Sequence, residues 1–302
     1  MTRGFILTLL ILAGIASAWD PLFYSNLSRV LQSTETDGDV ALGFFSSPSH
    51  WVTDSTGQSQ QWDFSSALSV LRVVATGRYG LTSSHTVSIV IPAFIQLSGD
   101  GDSTGVGIAD PWISLDGWIE RDPMIIARGA LRIPLKGYLE SGDYSESDPH
   151  LALDGAVTVE SEVASGTALR GTAGLRYYMS AWDRIPASRD SADTRPPLEL
   201  RGTGFAVFSA NPELDLRIGM ELSTRGDVSA RLDDEWQSVD YTSTRAVDLR
   251  AGFDLENEST KILADVYYRL SGENTVKEWG IIVTGLGLDF TDLFGSSSGG
   301  GR

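Results

Sequence analysis

Charged residues recur at even spacing inside apolar segments of this chain, and they are the side chains best placed to do chemistry. Segment 123–137, "PMIIARGALRIPLKG", carries Arg128, Arg132 and Lys136, and segment 150–163, "HLALDGAVTVESEV", carries Asp154 and Glu160. The odd-numbered positions of both segments are mostly aliphatic. Successive strand residues point to opposite faces, so each segment predicts a β-strand with one charged face and one apolar face. Charges on such a face could pair across the ladder, hydrate a lumen and set a local field.

Residues suited to catalysis are few by comparison. The three histidines fall in or beside expected connections at opposite ends of the fold: His50, His85 and His150. They cannot form one metal site, and none is placed on an outward strand face beside a serine, as a lipid-facing hydrolase would need. Carboxylate pairs such as Glu160 with Glu162 carry little information among 40 acidic residues. We therefore expect no enzymatic activity, no cofactor and no metal.

Composition and the first residues narrow the class of protein. The 302 residues carry a net charge of −17 and no cysteine, and such an acidic surface repels nucleic acid. The start, "MTRGFILTLLILAGIASAWDP", has the basic, apolar and small-residue order of a signal peptide over 1–18. No later stretch approaches the roughly 20 apolar residues of a membrane helix. If the protein crosses a membrane, it must therefore do so as a β-barrel.

Alternating segments separated by turn residues fill most of the chain. In "PELDLRIGMEL", 212–222, even positions are apolar and odd positions are mostly charged. Most segments match or exceed the roughly 9 to 11 residues of a tilted membrane strand. Twelve strands are predicted, at about 38–45, 67–79, 85–97, 106–120, 124–137, 150–163, 167–179, 197–210, 213–223, 244–255, 260–270 and 277–290.

The connections between these segments alternate between short and mostly longer. This is typical of outer-membrane barrels, in which tight periplasmic turns alternate with long external loops. We predict an all-β fold, a single antiparallel up-and-down transmembrane barrel of about 12 strands over 37–294. Segment 19–36 should hold a short helix near 21–32, and 295–302 should be a flexible tail. The alternative is a soluble sheet, whose apolar face would be core and whose charged face would meet water.

The barrel prediction assigns the charged faces to the lumen. The residues expected to line a pore are Asp116, Arg128, Arg132, Lys136, Asp154, Glu160, Arg170, Arg176, Arg201, Asp215, Arg217, Asp248, Arg250, Asp265 and Arg269.

Two stretches resemble known bacterial barrels. "TGVGIADPWISLDGWI", 104–119, resembles the Gly-x-Gly-Asp strand start of the MetA-pathway of phenol degradation family, although Ile108 and Ala109 separate Gly107 from Asp110 here. That family is associated with passage of small organic compounds. "WGIIVTGLGLDF", 279–290, resembles the final strand that the barrel-assembly machinery recognises, although a tail follows Phe290. The resemblance implies an outer-membrane location.

Two functions fit such a barrel. The first is a channel for passive passage of small solutes, including small organic compounds, through a charged lumen. The second is a closed barrel with a structural, adhesive or surface-display role, in which salt bridges or the N-terminal helix close the lumen. Acidic loops could then bridge divalent cations to lipopolysaccharide or bind a basic partner. A soluble exported β protein remains the third possibility.

Overall fold

The computed structural model describes residues 30–53, 58–99, 105–135, 140–141, 148–184, 191–240, 242–256 and 261–285. The predicted signal peptide, most of the predicted helix, the tail 295–302, Lys136 and Phe290 lie outside these residues. Val30–Gln32, the described end of the predicted helix range, are not helical. Within the described ranges, no helix is long and apolar enough to cross a membrane.

The described residues form eighteen strands. In chain order they are β1 (Thr36–Thr53), β2 (Ser59–Thr82), β3 (His85–Ser98), β4 (Val106–Ile108), β5 (Trp112–Arg121), β6 (Met124–Arg132), β7 (Glu140–Ser141), β8 (Ala152–Ala164), β9 (Thr167–Tyr178), β10 (Ala181–Arg184), β11 (Ser191–Arg195), β12 (Glu199–Asn211), β13 (Leu214–Arg225), β14 (Ser229–Leu232), β15 (Glu235–Ser238), β16 (Thr244–Glu256), β17 (Lys261–Glu273) and β18 (Thr275–Thr284).

Twelve of these strands close into one antiparallel barrel. Each pairs with the next in the order β1, β2, β3, β5, β6, β8, β9, β12, β13, β16, β17 and β18, and β18 pairs with β1. The closing ladder sets Ala41 opposite Thr284 and Phe45 opposite Gly280. Closure leaves no free sheet edge around the barrel wall. The predicted all-β barrel and its strand number are confirmed.

The two faces of the barrel wall have opposite chemistry. In β13, the apolar Ile218 is 51% exposed, whereas Glu221 on the other face is 0% exposed. The same contrast recurs around the wall, where exposed leucine, isoleucine and valine alternate with buried arginine, aspartate and glutamate. A soluble protein shows the reverse, because burying charge is costly and apolar area favours the core. The outer face therefore meets lipid, and the protein is a membrane-spanning barrel.

The two ends of the barrel differ in their connections. At one end, called the turn end below, two-residue turns join β2 to β3, β5 to β6, β8 to β9 and β12 to β13. The opposite end, called the loop end, carries longer connections, with one departure. Asn274 alone joins β17 to β18, where the sequence predicts a connection over 271–276. Its φ of 47° is in the left-handed region that asparagine tolerates.

Three features of the loop end were not predicted. The first hairpin is longer than 38–45 and 67–79, because residues 49–53 pair with 59–63. The predicted strand 106–120 is divided at Ala109–Pro111 into β4 and β5, and β4 pairs with β7. A second sheet, here called the loop-end sheet, has the order β10, β11, β14, β15. It joins the connection between β9 and β12 to the connection between β13 and β16, with Thr194 opposite Ala230.

Candidate functional site

The predicted charged residues that the structure describes lie on the inner face of the barrel. Those that are buried there are Asp116, Arg128, Arg132, Asp154, Arg176, Arg201, Arg217, Asp248, Arg250, Asp265 and Arg269. Glu160, Arg170 and Asp215 are half-buried and lie nearer the turn end. Lys136 is outside the described residues. That any of these side chains lines a solute path stays a prediction.

Neighbouring strands pair their inner charges across the ladder. Asp154 on β8 lies opposite Arg176 on β9, with 3.2 Å between Oδ2 and Nε, and Glu160 forms an ion pair with Arg170. The basic face of β9 therefore meets the acidic face of β8, as the sequence predicts. The basic face of β6 pairs differently. Arg128 lies opposite Asp116 on β5 and forms its ion pair there, because Ala156 is the residue opposite it on β8.

Other ion pairs skip a strand and reach through the lumen. Arg201 on β12 passes β9 and contacts the Asp154 carboxylate on β8. Arg217 on β13 passes β16 and lies 3.0 Å from the Asp265 carboxylate on β17. Arg170 on β9 comes within 3.9 Å of Asp254 on β16, three strands away. These pairs therefore connect strands that are not neighbours in the barrel wall.

One strand of the barrel wall has no charged residue on its inner face. That face of β3 consists of Thr86, Ser88, Val90, Pro92, Phe94 and Gln96. On the adjoining strands β18, β1 and β2 the inner face is mixed, because the buried Ile282, Phe45 and Val74 share it with the charged Glu278, Asp39 and Arg78. Phe45, Val74, Val90 and Ile282 belong to one buried apolar cluster, called the apolar patch below, which the sequence did not predict.

An aromatic and arginine cluster lies at the loop end of the lumen. The Arg176 guanidinium carbon is 4.4 Å from the Trp112 ring centroid, and Arg132 lies 5.8 Å from Trp112 and 5.3 Å from Tyr178. Arg225 lies 6.0 Å from the Tyr178 ring. These five residues bring two rings and three cations together. Trp112, Tyr178 and Arg225 were not among the predicted lining residues.

Asp110 organises the chain where β4 and β5 are interrupted. Its carboxylate accepts hydrogen bonds from the backbone N–H of Leu135 at 2.7 Å and of Asp148 at 2.8 Å. The Arg132 guanidinium lies 3.7 Å away. Backbone donors in connections need partners when they are removed from water. Asp110 therefore ties two loop-end segments to the barrel wall, a role that the strand-start motif did not predict.

His150 joins the barrel to the loop-end sheet. Its Nδ1 contacts the Asp148 carboxylate, and its Nε2 lies 2.9 Å from the Thr194 hydroxyl on β11. Burial by itself would raise the pKa of Asp148, but the hydrogen bond from His150 and the charge of Arg132 hold that pKa well below its usual value. Asp148 is therefore a carboxylate at any physiological pH. Over the described ranges, no group of three or more acidic or histidine side chains could hold a metal ion.

The residues before β1 lie against the inner wall at the turn end. Leu31 is 2% exposed, and its backbone N–H donates to the Thr86 hydroxyl at 2.8 Å. The Thr34 N–H donates to the Gly80 carbonyl at 2.7 Å. A Cβ on Gly80 would come within 1.8 Å of the Gln32 carbonyl oxygen. The segment therefore fits closely because residue 80 is glycine.

Comparison with known proteins supports the barrel fold. The sequence matches no protein-family model and no curated protein. The structure is similar to the COG4313 outer membrane channel from Pseudomonas putida F1, with a TM-score of 0.66, 16% identity, and 84% of this chain and 95% of that chain covered. The CymD monoaromatic hydrocarbon channel has a TM-score of 0.46 and 10% identity, covering 90% of this chain and 93% of its own. The first likeness confirms the outer-membrane barrel fold that the sequence predicts.

Proposed function

We propose that this protein is an outer-membrane channel for the passive passage of small solutes, including small organic compounds. The observation that carries the proposal is the set of buried charged side chains on the inner face of strands β5 to β17. A sealed structural barrel needs no such charges, since apolar side chains would fill it at a lower desolvation cost. The fold likeness to a solved outer-membrane channel supports the same function.

These charged side chains would act by hydrating the path and setting its local field. A barrel of twelve strands is wider than the eight-stranded kind that side chains fill, and narrower than the porins of 16 to 18 strands. The ion pairs through the lumen would restrict passage to small solutes. We propose outer-membrane lipid and lipopolysaccharide as the surroundings, and the barrel-assembly machinery as the route of insertion.

Single-channel recording in planar lipid bilayers tests the proposal. A shift of the electrophoretic band on heating shows that the purified barrel is folded. Such folded protein is expected to give discrete conductance steps. Folded protein that inserts without any conductance would contradict a channel function. Unfolded protein from the same preparation serves as the control for leak caused by detergent.

A closed barrel with a structural or adhesive role is the second candidate. The inner side chains at mid-height are buried, and Leu31 lies against the wall at the turn end, which is what a closed lumen would require. The same recording separates the candidates. A closed barrel would be silent in its native form and would conduct only after the segment before β1 is displaced.

A further inference from the structure

The loop-end sheet continues the barrel wall beyond the loop end. Its strands have the order β10, β11, β14, β15. After a short break in the chain, each of them adjoins one of the wall strands β9, β12, β13 and β16, which follow one another in the same order. The loop-end sheet is therefore an extension of neighbouring wall strands, and each of its faces can be compared with a face of the wall.

The two faces of the loop-end sheet differ in burial. Thr194 and Ala230 lie opposite each other on one face, where both are buried and Thr194 contacts His150. Trp182 follows the residue opposite Thr194, and Trp236 precedes the residue opposite Ala230. Successive strand residues point to opposite faces, so both tryptophans lie on the other face. Their side chains are 70% and 40% exposed.

The exposed face is turned away from the lumen. His150, which contacts the buried face, also lies edge-on to the ring of Tyr178, with 6.4 Å between the ring centroids. Tyr178 is buried on the inner face of the wall. The exposed face of the loop-end sheet therefore continues the outer face of the wall, whose last exposed apolar residues at the loop end include Tyr177, Met179 and Leu198.

Guanidinium groups accompany the exposed rings. The Arg195 guanidinium carbon lies 4.9 Å from the Trp236 ring centroid, and Arg231 is directly opposite Trp236. Arg231 forms an ion pair with Asp234 at 3.2 Å, and pairs that are exposed to water contribute little. The same face carries one carboxylate beside the other ring, since Asp193 is opposite Trp182. The exposed face thus combines ring surfaces with hydrogen-bond donors of positive charge.

We propose that this exposed face binds the phosphorylated sugar headgroup of lipopolysaccharide; the proposal rests on the membrane surroundings proposed above and not on conductance. The face, called the tryptophan face below, comprises Trp182, Asp193, Arg195, Arg231 and Trp236. Outer-membrane barrels place their tight turns in the periplasm and their long loops outside, so the loop end meets the outer leaflet. Guanidinium groups bind phosphate through parallel N–H donors. The rings offer apolar surface to the C–H groups of a sugar.

The level of the tryptophan face favours a sugar headgroup. Tyr177 lies on the outer face at the end of β9, where barrels carry the aromatic residues that mark the membrane interface. A strand rises about 3.3 Å per residue, so Trp182 stands on the order of 10 Å beyond Tyr177. That level is above the acyl chains. A phospholipid headgroup would pair with the arginines but has no sugar ring to cover the tryptophans.

The temperature at which the electrophoretic band shifts on heating tests the proposal. It is measured in phosphatidylglycerol vesicles with and without lipopolysaccharide, and a chelator removes bridging divalent cations. Phosphatidylglycerol is anionic and has no sugar ring, so charge alone does not distinguish the two. A lipid that binds the folded protein raises this temperature, and we expect a rise of at least about 3 °C with lipopolysaccharide.

Three variants of the tryptophan face separate binding from stability. Trp182→Ala and Arg195→Gln should each remove most of the rise that lipopolysaccharide causes. Asp193→Asn should enlarge it, because a negative charge beside the phosphate is lost. Arg121→Gln is the matched control and should keep the full rise, since Arg121 is exposed at the turn end and lies 5.8 Å from the Trp118 ring.

The wild-type protein without a rise, or an equal rise in Arg195→Gln and Trp182→Ala, would overturn the proposal. The same holds if these variants lower the temperature by equal amounts in both kinds of vesicle, because their effect would then be on folding alone. Single-channel recording keeps the two proposals apart. A lost rise in a conducting protein would leave the channel function intact, whereas a full rise in a silent protein would remove the channel function and keep the tryptophan face.

Discussion

Asp154 shows how single residues hold the lumen together. It receives the Arg176 guanidinium from the neighbouring strand and the Arg201 guanidinium from one strand further, and all three side chains are buried. Removing one member of a buried ion pair leaves an uncompensated charge, which costs more than the pair itself contributes. Asp154 neutralises two such charges at once, so the stability of the inner wall should be sensitive to it.

Asp154→Asn is expected to lower the free energy of unfolding by about 3 to 5 kcal/mol, because two buried arginines lose their shared carboxylate. The measurement is urea unfolding in lipid vesicles followed by tryptophan fluorescence. Asp234→Asn is the control, since that carboxylate is exposed on the loop-end sheet, and its change should stay within about 0.5 kcal/mol. Equal midpoints for the two variants would contradict the account of Asp154.

Residue positions on the inner face could be predicted, whereas their partners could not. The alternation of charged and apolar residues along each strand correctly predicted that Arg176 and Asp154 lie on the inner face. Trp112 is an even number of positions from Asp116 on β5, and Tyr178 is two positions from Arg176 on β9. The alternation of faces along a strand could therefore have predicted that both rings point inward. The partner of Arg201 is on a strand that is not its neighbour, so it depends on side-chain reach across the lumen and not on ladder register.

At the scale of elements, the strands within the membrane were predicted well and those outside it poorly. A strand between lipid and a polar lumen must alternate, which leaves a clear pattern in the sequence. The extension of the first hairpin and the loop-end sheet meet water on most sides. Their short, polar strands need not alternate, and Thr194 pairs with Ala230 far away in the sequence. No local pattern specifies such pairs.

Gly80→Ala tests how the segment before β1 is held. The added methyl group would overlap the Gln32 carbonyl, and about 1 to 3 kcal/mol of overpacking should displace the segment from the wall. The chain has no cysteine, so Leu31→Cys is a single reporter. We expect maleimide to label it faster in the Gly80→Ala background.

Gly129→Ala is the matched control for this change, because a Cβ there meets no atom within 4 Å. It should leave the labelling rate of the reporter unchanged. If the two alanine variants label at the same rate, the segment is not held by its fit against Gly80. In bilayers, a rise in conductance confined to Gly80→Ala would show that the segment restricts the lumen.

At the scale of the whole molecule, the barrel is defined by an outer face that is apolar and an inner face that carries buried charges. Because the sheet closes into a ring, every strand of the wall pairs its backbone N–H and C=O groups with two neighbouring strands, as a lipid environment requires. The exposed aliphatic side chains then have no role in a core and are explained by contact with lipid. A soluble sheet with the same alternation would bury this face against a second layer, and the described residues include no such layer.

Ile218→Lys tests the lipid contact directly. Ile218 lies within β13 on the outer face, where a lysine near the bilayer midplane should cost about 2 to 4 kcal/mol of unfolding free energy. Leu232→Lys is the control, because Leu232 is an exposed apolar residue of the loop-end sheet. Its cost should be about 0.5 kcal/mol or less. A tolerated Ile218→Lys in lipid vesicles would contradict the assignment of the outer face.

The sequence by itself determined the strand number, the order of the strands and the face on which each charge lies. These depend on local alternation and on connection length, which a single chain displays directly. Only the tertiary structure decided which arginine meets which carboxylate and which apolar residues of different strands form the patch on the inner face of β18 to β3. Each of these depends on distances between strands that ring closure brings together, and no spacing along the chain encodes them.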